Sequence, residues 1–297
     1  MDAIIATSEK LLTMNLDTGW GHVLDTGRGP YFGIGLTDSI LGVAARHRPV
    51  DRMDTLRTIG GKILTWDYAG HPQPAWEAPF LMRDLHHILW IEDALLATCP
   101  YDNGIAIWRQ GQWDWWFPVA DGTKDFHHWN TLAYHDGDLF VLAHNWGTSQ
   151  VHQFRWPSLR PVTAFPLGHE SHNLWWDQGR LFTCSSRDGE IRSLGDHPII
   201  RTGQYPRGVA VLPDRMIIGL SLYQPPPYPA IYNACVLVYD RQGHYQHGWI
   251  LPGVNQLNDI RVPGAHDAVV TTHRGHPFTV PEGCPVFQSV PLSHRPD

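Results

Sequence analysis

The sequence predicts an all-β fold, a β-propeller of six blades, from three observations. Apolar strands recur along the whole chain behind Gly/Asp turns. They fall into groups of about four, at roughly 45 to 50 residues per group, the signature of propeller blades. No long segment places apolar residues at the 3.6-residue period of a helix.

Two kinds of strand alternate. The first follows a turn and is nearly all apolar: "ILGVAARH" (40–47), "ALLATCPYDNG" (94–104), "DLFVLAHNWG" (138–147), "RLFTCSSRDG" (180–189), "RMIIGLSLY" (215–223) and "AVVTTHRG" (268–275). The second alternates polar and apolar residues before a turn, as in "KLLTMNLDTG" (10–19), "KILTWDYAGH" (62–71), "GIAIWRQGQW" (104–113) and "CVLVYDRQGH" (235–244). Branched and aromatic residues bounded by Gly and Asp are strand signals.

Counting back nine residues from the first apolar residue of each first-kind strand gives Tyr31, His86, Asn130, His172 and Arg207, each heading a further apolar run. In "QLNDIRV" the same place falls on Asn258 or Asp259. These anchors lie between 35 (His172 to Arg207) and 55 residues apart (Tyr31 to His86). The N-terminal strands "AIIATS" and "KLLTMNL" are expected to complete the last blade, closing the ring and removing its free edges. Both "AIIATS" and "AVVTTH" compete for the second strand of that blade, which leaves five or seven blades as alternatives. A single domain over 1–297 is expected.

Composition narrows the function. Charged residues are 17% against 42% hydrophobic, which argues against disorder. A net charge of −7 disfavours nucleic acid. The start "MDAIIATSEKLLTMNL" lacks the basic region of a signal peptide, and no 18-residue apolar run exists, so a soluble, cytoplasmic protein without a membrane partner is expected. Cys99, Cys184, Cys235 and Cys284 form no C-x-x-C pair and are read as buried thiols. The chain contains no G-x-S-x-G, P-loop, H-E-x-x-H or complete EF-hand loop.

In a propeller the first strand of each blade borders the central channel and starts at one mouth. The six anchors are therefore expected to ring that opening, and converging polar side chains in a concave site mark a functional centre. The stretch "KDFHHWNTLAYHDGDLFVLAHNWG" (124–147) holds four of the 19 histidines: His127 and His128 at the mouth, His135 in a far turn, His144 returning to the rim. Imidazoles from separate blades suit a divalent transition metal such as Zn, Fe, Cu, Mn or Ni. His86, His128 and His172 are the candidate ligands, with His87 and His127 as alternatives to their neighbours. Arg207 is the candidate for an anionic substrate group. Tyr31, or a carboxylate among Asp84, Asp125 and Glu170, is expected to transfer a proton. Asn130, Asn258 and Trp146 are candidate substrate contacts. The Pro- and Tyr-rich "YQPPPYPAIYN" (223–233) is expected to wall the pocket.

At the level of blade pattern the chain resembles the six-bladed propeller enzymes: the gluconolactonase/regucalcin-like group, the strictosidine-synthase-like proteins and the lyase domain that cleaves peptidyl-hydroxyglycine. The first group implies a Glu, Asn and Asp metal site, from which this ring departs. The last implies zinc on histidines of different blades with Tyr and Arg nearby, which this ring resembles more. The function expected is a metal-dependent lyase or hydrolase acting on a small polar or anionic molecule. The alternative is a non-catalytic propeller that binds a peptide, glycan or protein partner.

Overall fold

The computed structural model describes residues 1–46, 59–120, 124–195, 198–221, 233–270 and 273–293. Apart from a 3-10 turn at Pro100–Asp102, the regular elements are strands, and they form six small sheets.

The chain enters through β1 (Asp2–Thr7), β2 (Lys10–Asn15) and β3 (Trp20–Thr26), which belong to the last blade. Blade 1 is then β4 (Tyr31–Leu36), β5 (Ile40–Ala45), β6 (Lys62–Asp67) and β7 (Pro72–Trp76). Blade 2 is β8 (Ile88–Ile91), β9 (Ala94–Cys99), β10 (Gly104–Arg109) and β11 (Gln112–Trp116). Blade 3 is β12 (Trp129–His135), β13 (Asp138–Ala143), β14 (Thr148–Arg155) and β15 (Arg160–His169). Blade 4 is β16 (His172–Asp177), β17 (Arg180–Ser185), β18 (Glu190–Ser193) and β19 (Ile200–Arg201). Blade 5 is β20 (Tyr205–Val211), β21 (Arg215–Ser221), β22 (Cys235–Asp240) and β23 (Tyr245–Ile250). Blade 6 joins β24 (Leu257–Arg261) to β1, β2 and β3.

The first strands contact one another in a closed cycle, β4 to β8, β12, β16, β20, β24 and back to β4. Burial follows the radius. Inner β4 is buried throughout, whereas outer β7 and β15 are largely exposed. Closure by β24 pairing with β1 removes the free edges that an open arc would present. Two late strands, β25 (Val286–Gln288) and β26 (Val290–Pro291), add to the outer edges of blades 6 and 5.

The competition in the last blade is thereby settled. "AIIAT" is its second strand, pairing with β24. In the competing stretch, Ala268–Val270 form no strand. Asp267 and Ala268 bond to Val211 of blade 5, and Val269 and Val270 close the far end of the channel against His87 and Arg261.

Candidate functional site

Two stacked layers of side chains line the throat of the channel. The upper layer is Phe32, His86, Asn130, His172, Arg207 and Asn258; the lower takes the next residue of each blade, from Gly33 and His87 to Asp259. Consecutive residues of a regular strand face opposite ways, so both could not line one channel. Bulges make it happen. The register slips at Tyr31/Ile34, Trp129/Thr131, His172/Leu174 and Pro206/Val209, and on the β1 side opposite Asn258. A β-bulge bends the strand and re-aims a side chain. The lower layer needs small residues where blades meet. A Cβ at Gly33 would lie 2.7 Å from the His87 Cα, and Gly208, at φ +80°, faces Leu257 and Asp259 as closely.

Five of the six predicted anchors occupy the ring. The sixth does not: Phe32 takes the place expected for Tyr31. Tyr31 is buried between blades, where its hydroxyl donates to Asp25 Oδ2 (2.7 Å) and accepts from Arg28 N–H. Burial and the Asp25 carboxylate push its pKa up, so the phenol stays protonated and is ill suited to proton transfer. The offset has a simple origin. In the other blades the counted residue is the second of its strand, but β5 begins with apolar Ile40, so counting from Leu41 gives Phe32.

An arc of imidazoles lies at the mouth. His86 meets His128 (ring centroids 4.9 Å), His128 meets His144 (5.2 Å), and His144 meets His172 (5.2 Å). Asp84, His86 and His128 offer ligand atoms within 4.8 Å of one another, and all three are buried. Their hydrogen bonds fix which nitrogen is available. His86 Nδ1–H donates to the Asp84 carbonyl (2.7 Å), and His128 Nδ1–H donates to Asp125 Oδ1 (2.7 Å). Each therefore keeps its lone pair on Nε2, and the Asp125–His128 pair has the form that orients metal-bound histidines. His172 Nδ1–H is held by Ser186 Oγ (3.0 Å), whose own proton goes to the Pro206 carbonyl. His144 is the opposite tautomer, because its Nδ1 accepts the Trp146 N–H (3.2 Å).

Three of the arc's imidazoles are held neutral by their surroundings. Desolvation and the neighbouring Arg46 and Arg207 hold His86 and His172 well below the ordinary imidazole range, and desolvation takes His144 down to about 3. Neutral imidazole is the form that binds a metal. Burial pushes the Asp84 carboxyl up, while Arg46 pulls it back. Asp84 (φ +60°), His128 (+49°) and Trp146 (+51°) all sit in the left-handed backbone region, which non-glycine residues occupy at a cost. Such residues cluster at functional sites.

The cations differ in their partners. Arg46, at the end of β5, ion-pairs with Asp84 and places Nη2 3.0 Å from His86 Nε2. Arg207 is 7% exposed and lies over the Phe32 ring (5.4 Å). Among the described residues it has no carboxylate partner. The three rim acids are engaged elsewhere: Asp84 with Arg46, Asp125 with His128, Glu170 with Arg187. Below the throat, Asp259 and Arg261 form a fully buried pair (2.8 Å).

Other predicted residues fall as follows. Asn130 and Asn258 line the throat but use their amide N–H groups to join neighbouring blades, donating to Ser171 O (2.8 Å) and Tyr31 O (2.7 Å). Trp146 is 59% exposed and covers the arc, its ring 4.4 Å from that of His128. His127 stacks on Trp129 instead, and His87 lies in the lower layer. His172 is separated from the Asp84, His86 and His128 group by His144. The segment 223–233, except Asn233, lies outside the described residues. Sequence reasoning took Asp84 only as a proton-transfer candidate and His144 only as a rim residue, and it did not name Arg46. The last two follow the second strands of blades 3 and 1, so reading every such loop for polar residues would have found both.

The throat is narrow, about 20 Å³, room for one water. A larger recess lies elsewhere, a groove of about 730 Å³ walled by Phe80, Trp115 and Phe117 with Arg83 and Asp102. Arg83, in its wall, immediately precedes Asp84 in the chain.

No family model matches the chain, and no curated protein matches it. Solved structures share its architecture. A chain of a nidogen/laminin complex is 11% identical, with a TM-score of 0.54 over 87% of this chain and 97% of that one. A protein of unknown function from Bacteroides caccae is 10% identical, with a TM-score of 0.60 over 87% and 97%. At these identities the likeness shows the fold alone. The class is thus a six-bladed β-propeller with a histidine-lined mouth. Among the described residues no helix is long and apolar enough to cross a membrane.

Proposed function

We propose that the protein is a metal-dependent enzyme, a lyase or hydrolase acting on a small anionic molecule at the channel mouth. The carrying observation is the buried group of Asp84, His86 and His128, with both Nδ1 atoms committed to other partners. Two imidazoles and one carboxylate suit Zn, Fe or Mn, with copper the less suited member of the expected set. When bound, the metal supplies Lewis acidity and an activated water. Arg207 holds the anionic group of the substrate, its buried charge ion-paired with no carboxylate among the described residues. His172, with Nδ1–H tied to Ser186, keeps a lone pair for a proton. Trp146 covers the arc and excludes water from it.

Metal analysis by mass spectrometry of the purified protein tests this reading. About one equivalent of a transition metal is expected in the native chain and in His172→Ala, and little in Asp84→Asn or His128→Ala. A metal-free native chain, with no zinc affinity on titration, would sink it.

The groove favours a second reading, a propeller that binds a peptide, glycan or protein partner without chemistry. Leu81 and Phe117 of the groove are exposed, as are Phe126 beside His127 and Trp146 beside His128, and apolar surface of this kind marks interaction sites. It predicts that substitutions at Asp84 and His128 leave partner capture unchanged while Phe117→Ala weakens it.

A further inference from the structure

The metal position already has a cation beside it. Arg46 ion-pairs with Asp84 and holds Nη2 against the His86 ring, 3.0 Å from Nε2 and 3.1 Å from Nδ1, engaging two of the three groups that would hold a metal. A guanidinium held there and a divalent ion compete for the same carboxylate and crowd the same ring. The Arg46 guanidinium also lies over the Phe32 ring (4.2 Å), the ring that Arg207 faces from 5.4 Å. Two buried guanidiniums thus share one aromatic face, and only Arg46 has a carboxylate among the described residues.

We propose that Arg46 is a built-in competitor for the metal, and that an anion bound at Arg207 draws it off Asp84 and His86. Metal and anionic ligand then bind cooperatively. An oxyanion on Arg207 supplies the second negative group that this pair of cations lacks. Arg46 turns toward it across the Phe32 face, and the Asp84 carboxylate and the His86 lone pair are released to the metal. Linkage makes the effect reciprocal: the anion tightens the metal by the factor by which the metal tightens the anion. The expected anion is a small carboxylate, whose planar geometry a guanidinium fork fits. This inference rests on the metal and anion positions of the proposed function.

Zinc titration of the chelator-treated full chain by calorimetry, in chloride and in acetate, tests it, with acetate's own zinc affinity subtracted. Acetate is expected to tighten zinc by about fivefold or more in the native chain. Arg46→Ala is expected to bind zinc about tenfold tighter than the native chain in chloride and to ignore acetate, because breaking a buried ion pair frees its partner. Arg207→Ala is expected to lose the acetate effect. Should Arg46→Ala not fold, Arg46→Gln carries the same expectation. Native zinc affinity equal in the two salts, or an Arg46 variant that binds no tighter, overturns the coupling and leaves the metal site standing. Zinc binding by neither native chain nor variant overturns the metal site itself, and the coupling with it.

Discussion

The same pair of side chains, Asp and His, occurs in two parts of this molecule with different consequences. On the outer hairpins of blades 1 and 5, "DYAGHPQ" (67–73) and "DRQGHYQ" (240–246) fold alike. His71 Nδ1 lies 3.2 Å from Asp67 and His244 Nδ1 3.0 Å from Asp240, with Gln73 and Gln246 donating to the same carboxylates. At the mouth His128 lies 2.7 Å from Asp125. The hairpin imidazoles are exposed at 70% and 75%, the rim one at 9%. In water such a pair closes a turn and little more. Out of water it fixes a tautomer and leaves a nitrogen for a ligand. Histidine content alone cannot tell the two apart; position on the blade does.

Acid should separate the two places most. His87 and His144 are held at about 3, and His86 and His172 well below the ordinary imidazole value, chiefly by desolvation. Unfolded, each takes up a proton below about pH 6.5. Their folded pKa values are depressed, so stability is fully present above pH 6.5 and is lost as pH falls toward 3. Each group contributes a loss of about 1 kcal/mol per pH unit inside that window. Urea unfolding of the chelator-treated chain at pH 7, 6 and 5 measures it. A midpoint unchanged between pH 7 and 5 would contradict the buried, neutral state of these four imidazoles.

The second effect in size concerns the pair beneath the throat. Asp259→Ala leaves Arg261 buried and unpaired among backbone carbonyls, and the loss of one partner of a buried pair costs about 3–5 kcal/mol. Replacement of Asp240, on the outer hairpin, should fall well short of this in the same urea experiment. Equal losses would mean that depth in the channel does not set the strength of these contacts.

What the sequence revealed divides along the same line. The blades were legible because alternation and turns are local properties. "KILTWDYAGH" shows its period and its turn without reference to anything distant. The ring was legible because nine residues separate a strand's head from the next strand, wherever the blade lies. It slipped at Phe32 because the count in that blade starts from Ile40, the first residue of β5, whereas in the other blades it starts from the second. The bulges were not legible. Period-2 reasoning puts His128 and Asn130 on one face, but the register shift at Trp129/Thr131 and the left-handed backbone of His128 break that relation. Nor was the Arg46–Asp84 pair. The two lie 38 residues apart (84 minus 46) in chain, and only the packing of blade 2 against blade 1 brings them together.

Third, Asp125 should matter to metal affinity without touching the metal. Asp125→Ala frees the His128 ring to turn and to exchange tautomers. Loss of such an orienting carboxylate weakens a site by about 10–100-fold. Asp125→Asn separates geometry from charge: the amide oxygen still accepts from His128 Nδ1–H, so its affinity should fall between the native chain and the alanine variant. Zinc titration ranks the three, and an alanine variant as tight as the native chain would remove Asp125 from the site.

The smallest effects belong to the hairpins, and they make the sharpest control. His71→Ala and His244→Ala remove imidazoles that hydrogen-bond carboxylates as His128 does, yet they should leave zinc affinity unchanged and shift the thermal midpoint by less than about 2 °C. The turns do not depend on those rings. Asp67 and Asp240 also accept the backbone N–H four residues on, at 2.9 Å and 2.8 Å, and that bond survives the substitution. Should either variant lower zinc affinity as His128→Ala does, the bound ion would be sitting on the blade edges rather than in the mouth. Histidine number, not channel position, would then govern binding.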